Sequence, residues 1–263
     1  MVNRMTAPIS PPWPARPALF LDFDSTLLEI AEEPRGVQAS ARLRELLPAL
    51  EPAAGGAVAI ISGRPIAEID RVLAPHRFAA AGIHGLERRD ADGRIHAAHV
   101  DGAALERARA AIAPFVARHG GLALEDKALT VALHYRKRPE LAPQVEQFVQ
   151  DLAARLPAGL EVLHGRKVFE IKPRDTDKGR AIRAFMHEPP FAGRTAVFLG
   201  DDVTDEAGFA VVNELDGVSV KVDDGATAAR WHLDGVDAVL AWLEQAVAQS
   251  RYAAPRNALG SAE

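Results

Sequence analysis

The chain has no cysteine among its 263 residues, which excludes disulfide scaffolds, cysteine-bound metal centres and thiol nucleophiles together. It has no apolar run approaching the roughly 20 residues needed to cross a bilayer. There is no internal repeat and no low-complexity tract beyond a general richness in alanine. A large excess of one charge is also missing. The formal net charge of −5 weighs against nucleic acid or an anionic membrane as the partner. It does not weigh against a phosphorylated substrate, because a bound metal and a few local cations can dominate the field in a cleft. Residues 1–17 carry no continuous apolar segment and read as a flexible leader, not a secretory signal. Residues 251–263 read as a flexible tail. The remainder, 48% hydrophobic and 25% charged overall, suits a globular protein of one large or two modest domains.

What is present is a coincidence of three short apolar runs that each end in residues able to handle a phosphate. Ala18–Leu21 runs into Asp22-Phe23-Asp24-Ser25-Thr26, Ala57–Ile61 into Ser62-Gly63-Arg64, and Ala196–Leu199 into Gly200-Asp201-Asp202-Val203-Thr204-Asp205-Glu206. Runs of this kind read as buried parallel strands, and open α/β sheets bind ligands outside the carboxyl ends of their strands. Between the first two runs, Leu43, Leu46, Leu47 and Leu50 share a helical face; after the second, Ile66, Ile69, Val72 and Leu73 do the same. Phe78 to Ile83 reads as a third strand ending at His84-Gly85. This is the β-α-β-α-β rhythm of a doubly wound parallel sheet.

The rhythm then changes. A helix is expected over Ala103–Arg118, strands over Leu122–Glu125 and Leu129–Arg136, a helix from Pro139, and strands over Leu160–Leu163 and Val168–Lys172. From Asp175 the first rhythm resumes, with helices near 177–186 and 206–213, a strand over Val218–Val222, and a final helix aligning Val236, Val239, Leu240, Leu243 and Val247. The expected fold is therefore α/β, a Rossmann-like doubly wound core over 18–102 and 174–250. An inserted αββαββ cap domain is expected over 103–173.

Asp22 and Asp24, two apart at a strand end, can direct both carboxylates into one pocket. Two such charges about 4 Å apart repel by roughly 4 kcal/mol at an effective dielectric near 20. With Asp201 added, protons or a metal must relieve the repulsion, and an all-oxygen donor set suits Mg²⁺. A carboxylate can also attack phosphorus itself. Aspartates two apart equally occur in surface turns. Ser62 either caps the next helix or holds a phosphate oxygen. Lys178 is either a solvated first-turn lysine or the point charge a phosphate site requires. Asp205 and Glu206 suit a helix N-terminus, which leaves the adjacent Asp201 and Asp202 unexplained. In the second segment, strand parity puts Thr130, Ala132, His134 and Arg136 on one face and Leu129, Val131, Leu133 and Tyr135 on the other. Glu125, Lys127, His134, Arg136 and Glu170 are then able to face the core. Such a mixed polar surface is what a polyol requires, or is simply a solvated sheet face.

The order Asp22-x-Asp24-x-Thr26, Ser62, Lys178, Gly200-Asp201-Asp202-x-x-Asp205 resembles the haloacid dehalogenase superfamily of phosphatases. Leu21-Asp22-Phe23-Asp24, Ile61-Ser62-Gly63-Arg64, Gly82-Ile83-His84-Gly85, His134-Tyr135-Arg136 and Glu170-Ile171-Lys172-Pro173 resemble its trehalose-6-phosphate phosphatase family. The resemblance runs from about Leu19 to Val222 and implies strand order 3-2-1-4-5 in the core. It implies that Asp22 attacks phosphorus to give an aspartyl-phosphate, that Asp24 serves as general acid and then base, and that Ser62 and Lys178 bind the phosphoryl group. Mg²⁺ would be held by Asp22, the Asp24 backbone carbonyl and Asp201, with Asp205 orienting metal waters and Asp202 assisting. Sugar recognition would fall to Arg64, His84, Glu125, Lys127, Arg136 and Glu170.

The implied activity is cytoplasmic hydrolysis of trehalose 6-phosphate to trehalose and phosphate. The alternatives are a phosphatase of sucrose 6-phosphate, a mannosyl phosphate or a hexose phosphate, or a sugar-phosphate sensor without turnover. The expected partner is a small-molecule sugar phosphate, not nucleic acid or membrane. The chain is expected to act as a monomer, with a functional link to a trehalose-phosphate synthase going with the resemblance.

Overall fold

The computed structural model describes residues 10–29, 37–165 and 167–253. The chain opens with β1 (Pro17–Leu21), α1 (Ala41–Ala53), β2 (Val58–Ile61), α2 (Ile66–Leu73) and β3 (Ala79–Gly82). All three strands are buried along their whole length, which is why they read as unbroken apolar runs. Helix α1 starts where Ser40 Oγ accepts from the Leu43 N–H at 3.2 Å, and it buries Leu43, Leu46, Leu47 and Leu50. A hairpin absent from the sequence-level expectation follows, with β4 (Glu87–Arg89) antiparallel to β3 and β5 (Ile95–Ala97) antiparallel to β4.

The next stretch builds a second layer. Helix α3 (Gly102–Arg118), strands β6 (Ala123–Asp126) and β7 (Val131–His134), helix α4 (Ala142–Ala153), and strands β8 (Leu160–Gly165) and β9 (Val168–Pro173) make an αββαββ unit. Its antiparallel sheet has the order β6-β7-β9-β8, and Val131, Leu133, Phe169 and Ile171 pack under α3 and α4. Two sequence expectations are trimmed here. The strand expected over 129–136 pairs only over β7, because the chain turns at Ala128 with φ 67°. Pro139–Leu141 forms a 3-10 turn ahead of α4, and Leu156 lies beyond that helix.

The first layer then resumes with α5 (Lys178–Met186), β10 (Thr195–Gly200), α6 (Glu206–Glu214), β11 (Val218–Val222), β12 (Trp231–Leu233) and α7 (Gly235–Ala253). The large sheet has the order β12-β11-β10-β1-β2-β3-β4-β5, parallel from β12 to β3. Its parallel centre has the 3-2-1-4-5 order, extended by β12 at one edge and the hairpin at the other. On one face, Leu19, Leu21, Ile60, Val197, Leu199 and Val220 pack with α1, α2 and α7. On the other, Phe20, Ile61 and Phe198 pack with α5 and α6, Phe20 stacking on Phe191 at 5.4 Å.

The ends of the chain depart from expectation. Trp242 Nε1 in α7 donates to the Pro11 carbonyl at 2.8 Å, and Trp13 lies edge-on to Trp242 at 5.3 Å. Pro11 and Trp13 of the expected flexible leader are thus held against the last helix, and Pro17 begins β1. That helix also runs to Ala253, three residues into the expected tail. The rest of both calls, 1–9 and 254–263, lies outside the described residues. Among the described residues no helix is long and apolar enough to cross a membrane.

Candidate active site

Register aligns the strand ends. Leu21 pairs with Leu199 on one side and Ile60 on the other, and Ile60 pairs with Ala80. Asp22, Ser62 and Asp201 therefore leave the sheet at the same edge, at the point where the connections from β1 diverge.

Asp22 is 4% exposed, and Lys178 at the start of α5 is 3% exposed. Lys178 Nζ donates to Asp22 Oδ1 at 2.6 Å and to Asp205 Oδ1 at 2.7 Å. The solvated reading of Lys178 is thereby excluded. Asp177 starts that helix by accepting from the Arg180 N–H at 2.8 Å, which aims Lys178 into the sheet edge. Burial opposes the charge on Lys178, but Asp205 and Asp22 outweigh it and hold the ammonium well above the usual lysine range. Burial pushes the Asp22 carboxyl up; Lys178 opposes this, and Asp205 and Asp201 add to it. Asp201 is pushed up to about 6, by burial first and then by Asp205. Three carboxylates crowded beyond what their cations neutralise point to a missing positive charge.

The donor set says which kind. Asp22, Asp201 and Asp205 each offer an oxygen, all within 4.8 Å of one another, with no nitrogen or sulfur in the group. Hard oxygen donors of this kind fit a divalent cation such as Mg²⁺ or Mn²⁺. Asp202, expected among the ligands, stands beside this group and not in it. Its Oδ1 accepts from the Val203 N–H at 2.6 Å while its own N–H donates to Asp205 Oδ2 at 2.9 Å, a reciprocal cap on the 203–205 turn. Gly200 is required here, since a Cβ would lie 2.3 Å from the Asp205 carboxyl carbon.

Asp24 lines the same cleft but is not one of these three close donors. Arg64 holds it in a fork, Nε to Oδ2 and Nη2 to Oδ1 both at 2.7 Å, and also reaches Glu68 at 3.3 Å. Arg64, expected on the substrate, is here engaged by the expected acid. Ser62, 1% exposed, accepts from the Arg64 N–H at 3.1 Å. Its hydroxyl therefore shapes the 62–64 turn and does not cap α2, which begins at Ile66.

His84 sits where the chain turns left-handed twice, Ile83 at φ 48° and His84 at φ 55°. For a β-branched residue that is strained backbone, held by Ile83 N–H to the Arg64 carbonyl and His84 N–H to the Ser62 carbonyl, both 3.0 Å. The imidazole lies over Gly63, where a Cβ would come within 2.7 Å of it. Its Nε2 is 3.5 Å from Glu170 Oε2 on the second sheet, and burial holds its pKa below the usual value. Glu170 also accepts from Thr130 Oγ1 at 2.5 Å and Lys127 Nζ at 2.9 Å. Burial opposes its charge, but His84, Lys127 and Thr130 together hold its carboxyl far below the usual range. Lys127 Nζ further donates to the Gly63 carbonyl at 3.3 Å, so the two layers meet at this cluster. Glu125 pairs with His134 at 2.7 Å, which draws its pKa down.

A cleft of about 350 Å³ is lined by Asp22, Asp24, Ser62, Lys178, Asp201 and Arg136. An adjoining one of about 190 Å³ is lined by Glu125, Lys127, His134 and Glu170, with Arg64 and His84 common to both. One compartment offers cations and carboxylates to an anion; the other offers donors and acceptors to hydroxyls. Thr130 and Lys221 were not singled out from sequence. The signals were there, a threonine on the polar face of β7's run and a lysine inside the apolar strand β11.

Comparison with known proteins gives one answer. Residues 20–237 match the model of the trehalose-phosphatase family. The chain is 46% identical over 245 residues to trehalose-6-phosphate phosphatase of Escherichia coli (strain K12), covering 91% of each. It is 43% identical over 205 residues to a probable trehalose-phosphate phosphatase of Sinorhizobium fredii, covering 78% of this chain and 77% of that one. The C-terminal domain of Candida albicans trehalose-6-phosphate phosphatase shares the fold at TM-score 0.82 and 23% identity, over 89% of this chain and 93% of that one. With its motifs at the carboxyl edge of a parallel sheet, the chain belongs to the trehalose-phosphatase family.

Proposed function

We propose that this chain hydrolyses trehalose 6-phosphate to trehalose and inorganic phosphate, with Mg²⁺ at Asp22, Asp201 and Asp205. The observation that carries the reading is the buried ammonium of Lys178 bridging Asp22 and Asp205 beside a third close carboxylate. The cation would supply charge neutralisation at the phosphoryl oxygens. An Asp22 oxygen forms the new bond to phosphorus while the bond from phosphorus to the sugar oxygen breaks. Asp24 gives that oxygen its proton, and then takes one from the water that attacks the aspartyl-phosphate. Phosphate leaves and Asp22 is restored. Asp24 reaches the leaving oxygen only after quitting the Arg64 fork, and an arriving phosphate dianion offers Arg64 another partner. Ser62 and Lys178 position the phosphoryl group.

Residues 103–173 act as a cap over a core of 18–102 and 174–250, and Glu125, Lys127, Arg136 and Glu170 present its polar face to the sugar. The reaction runs in the cytoplasm on a single copy of the chain. Phosphate release from trehalose 6-phosphate, with Mg²⁺ and with chelator, tests this beside sucrose 6-phosphate and hexose phosphates. Release that requires Mg²⁺ and favours trehalose 6-phosphate is expected. Hydrolysis of another sugar phosphate alone would refute the substrate, and Asp22→Asn turning over normally would refute the mechanism.

A further inference from the structure

Lys221 has no part in the reaction derived above, yet it is a second ammonium buried at the acidic edge of the sheet. All five residues of β11 are buried; Val218, Val220 and Val222 enter the hydrophobic core, and Ser219 Oγ bonds Asn213 at 2.6 Å. An apolar side chain at position 221 would pack there without desolvating a charge. Lys221 is instead 6% exposed, stands back from the cleft wall, and donates from Nζ to the main-chain carbonyl of Asp201. The carboxylate of that same residue is one of the three close oxygen donors. The charge of Lys221 acts on it together with those of Asp205, Lys178 and Asp202.

The site's charges then have a simple balance. Six carboxylates, Asp22, Asp24, Glu68, Asp201, Asp202 and Asp205, gather with four cations, Arg64, Arg136, Lys178 and Lys221. The two unmatched negative charges equal one divalent cation. Without Lys221 three would remain, which would hold a cation harder and repel a phosphate dianion. We propose that Lys221 is a positioning residue that ties down the Asp201 loop and sets the site's charge so that divalent cation and phosphate dianion are both accepted. This rests on the reading that Asp22, Asp201 and Asp205 hold the cation.

Calorimetric titration of the metal-free full chain with Mg²⁺, and of the Mg²⁺-loaded chain with inorganic phosphate, tests it. Lys221→Met removes charge and tether; Lys221→Gln removes charge but keeps a donor; Lys221→Arg keeps both. The Gln and Met variants are expected to bind Mg²⁺ about tenfold tighter and phosphate about tenfold weaker, with Arg close to wild type. Opposite shifts for two ligands are a readout that loss of structure would not produce. Weaker or unchanged Mg²⁺ binding by the Gln variant overturns the charge-balancing role, as does an Arg variant that behaves like Met. Wild-type protein that binds no Mg²⁺ overturns the metal reading and this assignment with it; wild type that binds while all variants match it overturns this assignment alone.

Discussion

Replacing Asp201 with asparagine should make the metal-free protein more stable, not less. Burial and the neighbouring Asp205 push the Asp201 carboxyl up to about 6 from an ordinary 3.8. The sign follows from linkage. Well below 3.8 both folded and unfolded chains carry the proton, and Asp201 costs nothing. As pH rises from there, the unfolded chain ionises first, so the folded state loses stability until about pH 6, and the full cost stands at pH 7. A shift of about two units corresponds to about 3 kcal/mol, an upper figure because Asp22 shares the same field. Asparagine keeps the shape and carries no charge, so Asp201→Asn should recover about 1–3 kcal/mol at pH 7, or roughly 2–5 °C in Tm for a chain of this size. Thermal melts in chelator at pH 7 and pH 4 measure it. The advantage should shrink to about a fifth at pH 4 and reverse when Mg²⁺ is added, since the wild type gains more of the ligand's stabilisation. An Asp201→Asn protein no more stable than wild type at pH 7 without metal would refute the claim that these carboxylates repel one another.

Three further outcomes are expected. Lys178→Met, assayed at saturating Mg²⁺, should lower kcat on trehalose 6-phosphate by about 10²–10³, the usual loss when one charge-stabilising donor is removed. Thr130→Val takes one donor from Glu170 and should raise KM for trehalose 6-phosphate by roughly tenfold, about 1–1.5 kcal/mol. Turnover of a small aryl phosphate that does not reach the second sheet should be unchanged by it. Asp70→Asn should lower the denaturant midpoint at pH 7, because Arg89, 3% exposed, then loses a carboxylate that bonds it at 2.6 Å through both nitrogens. Burial raises the Asp70 pKa, but Arg89 and Arg77 outweigh it and hold it below 3.8. The wild-type advantage is therefore present above pH 4 and should fade as pH drops below it.

The parallel core and the grouping of Asp22, Ser62 and Asp201 were legible in sequence because each sits where an unbroken apolar run stops, whereas Lys178 follows a polar stretch and was placed beside them only by the family resemblance. Alternation separated the polar face of the second sheet, with His134 and Glu170, from its apolar face, but left open whether that face met the cleft or solvent; Lys127 lies in the turn between β6 and β7, where alternation has no say. What escaped depends on partners far along the chain. Strand β4, Glu-Arg-Arg, looks like a surface segment until Asp70 and the Phe78 carbonyl take up the Arg89 guanidinium. The anchoring of residues 11–13 depends on Trp242, more than 200 residues away. Asp202 was expected among the ligands from the resemblance, and four acids in six positions do not reveal which of them closes a turn.

Bare residues in phosphate-binding loops are customarily credited to the anion, which needs room to approach the main chain. At Gly63 the space is already occupied by an imidazole from the next strand end. A methyl group there would displace His84 and loosen its reach to Glu170, so the damage would appear in sugar discrimination first. Absence of a side chain at this position is thus a demand made by His84 and, through it, by Glu170 of the second sheet.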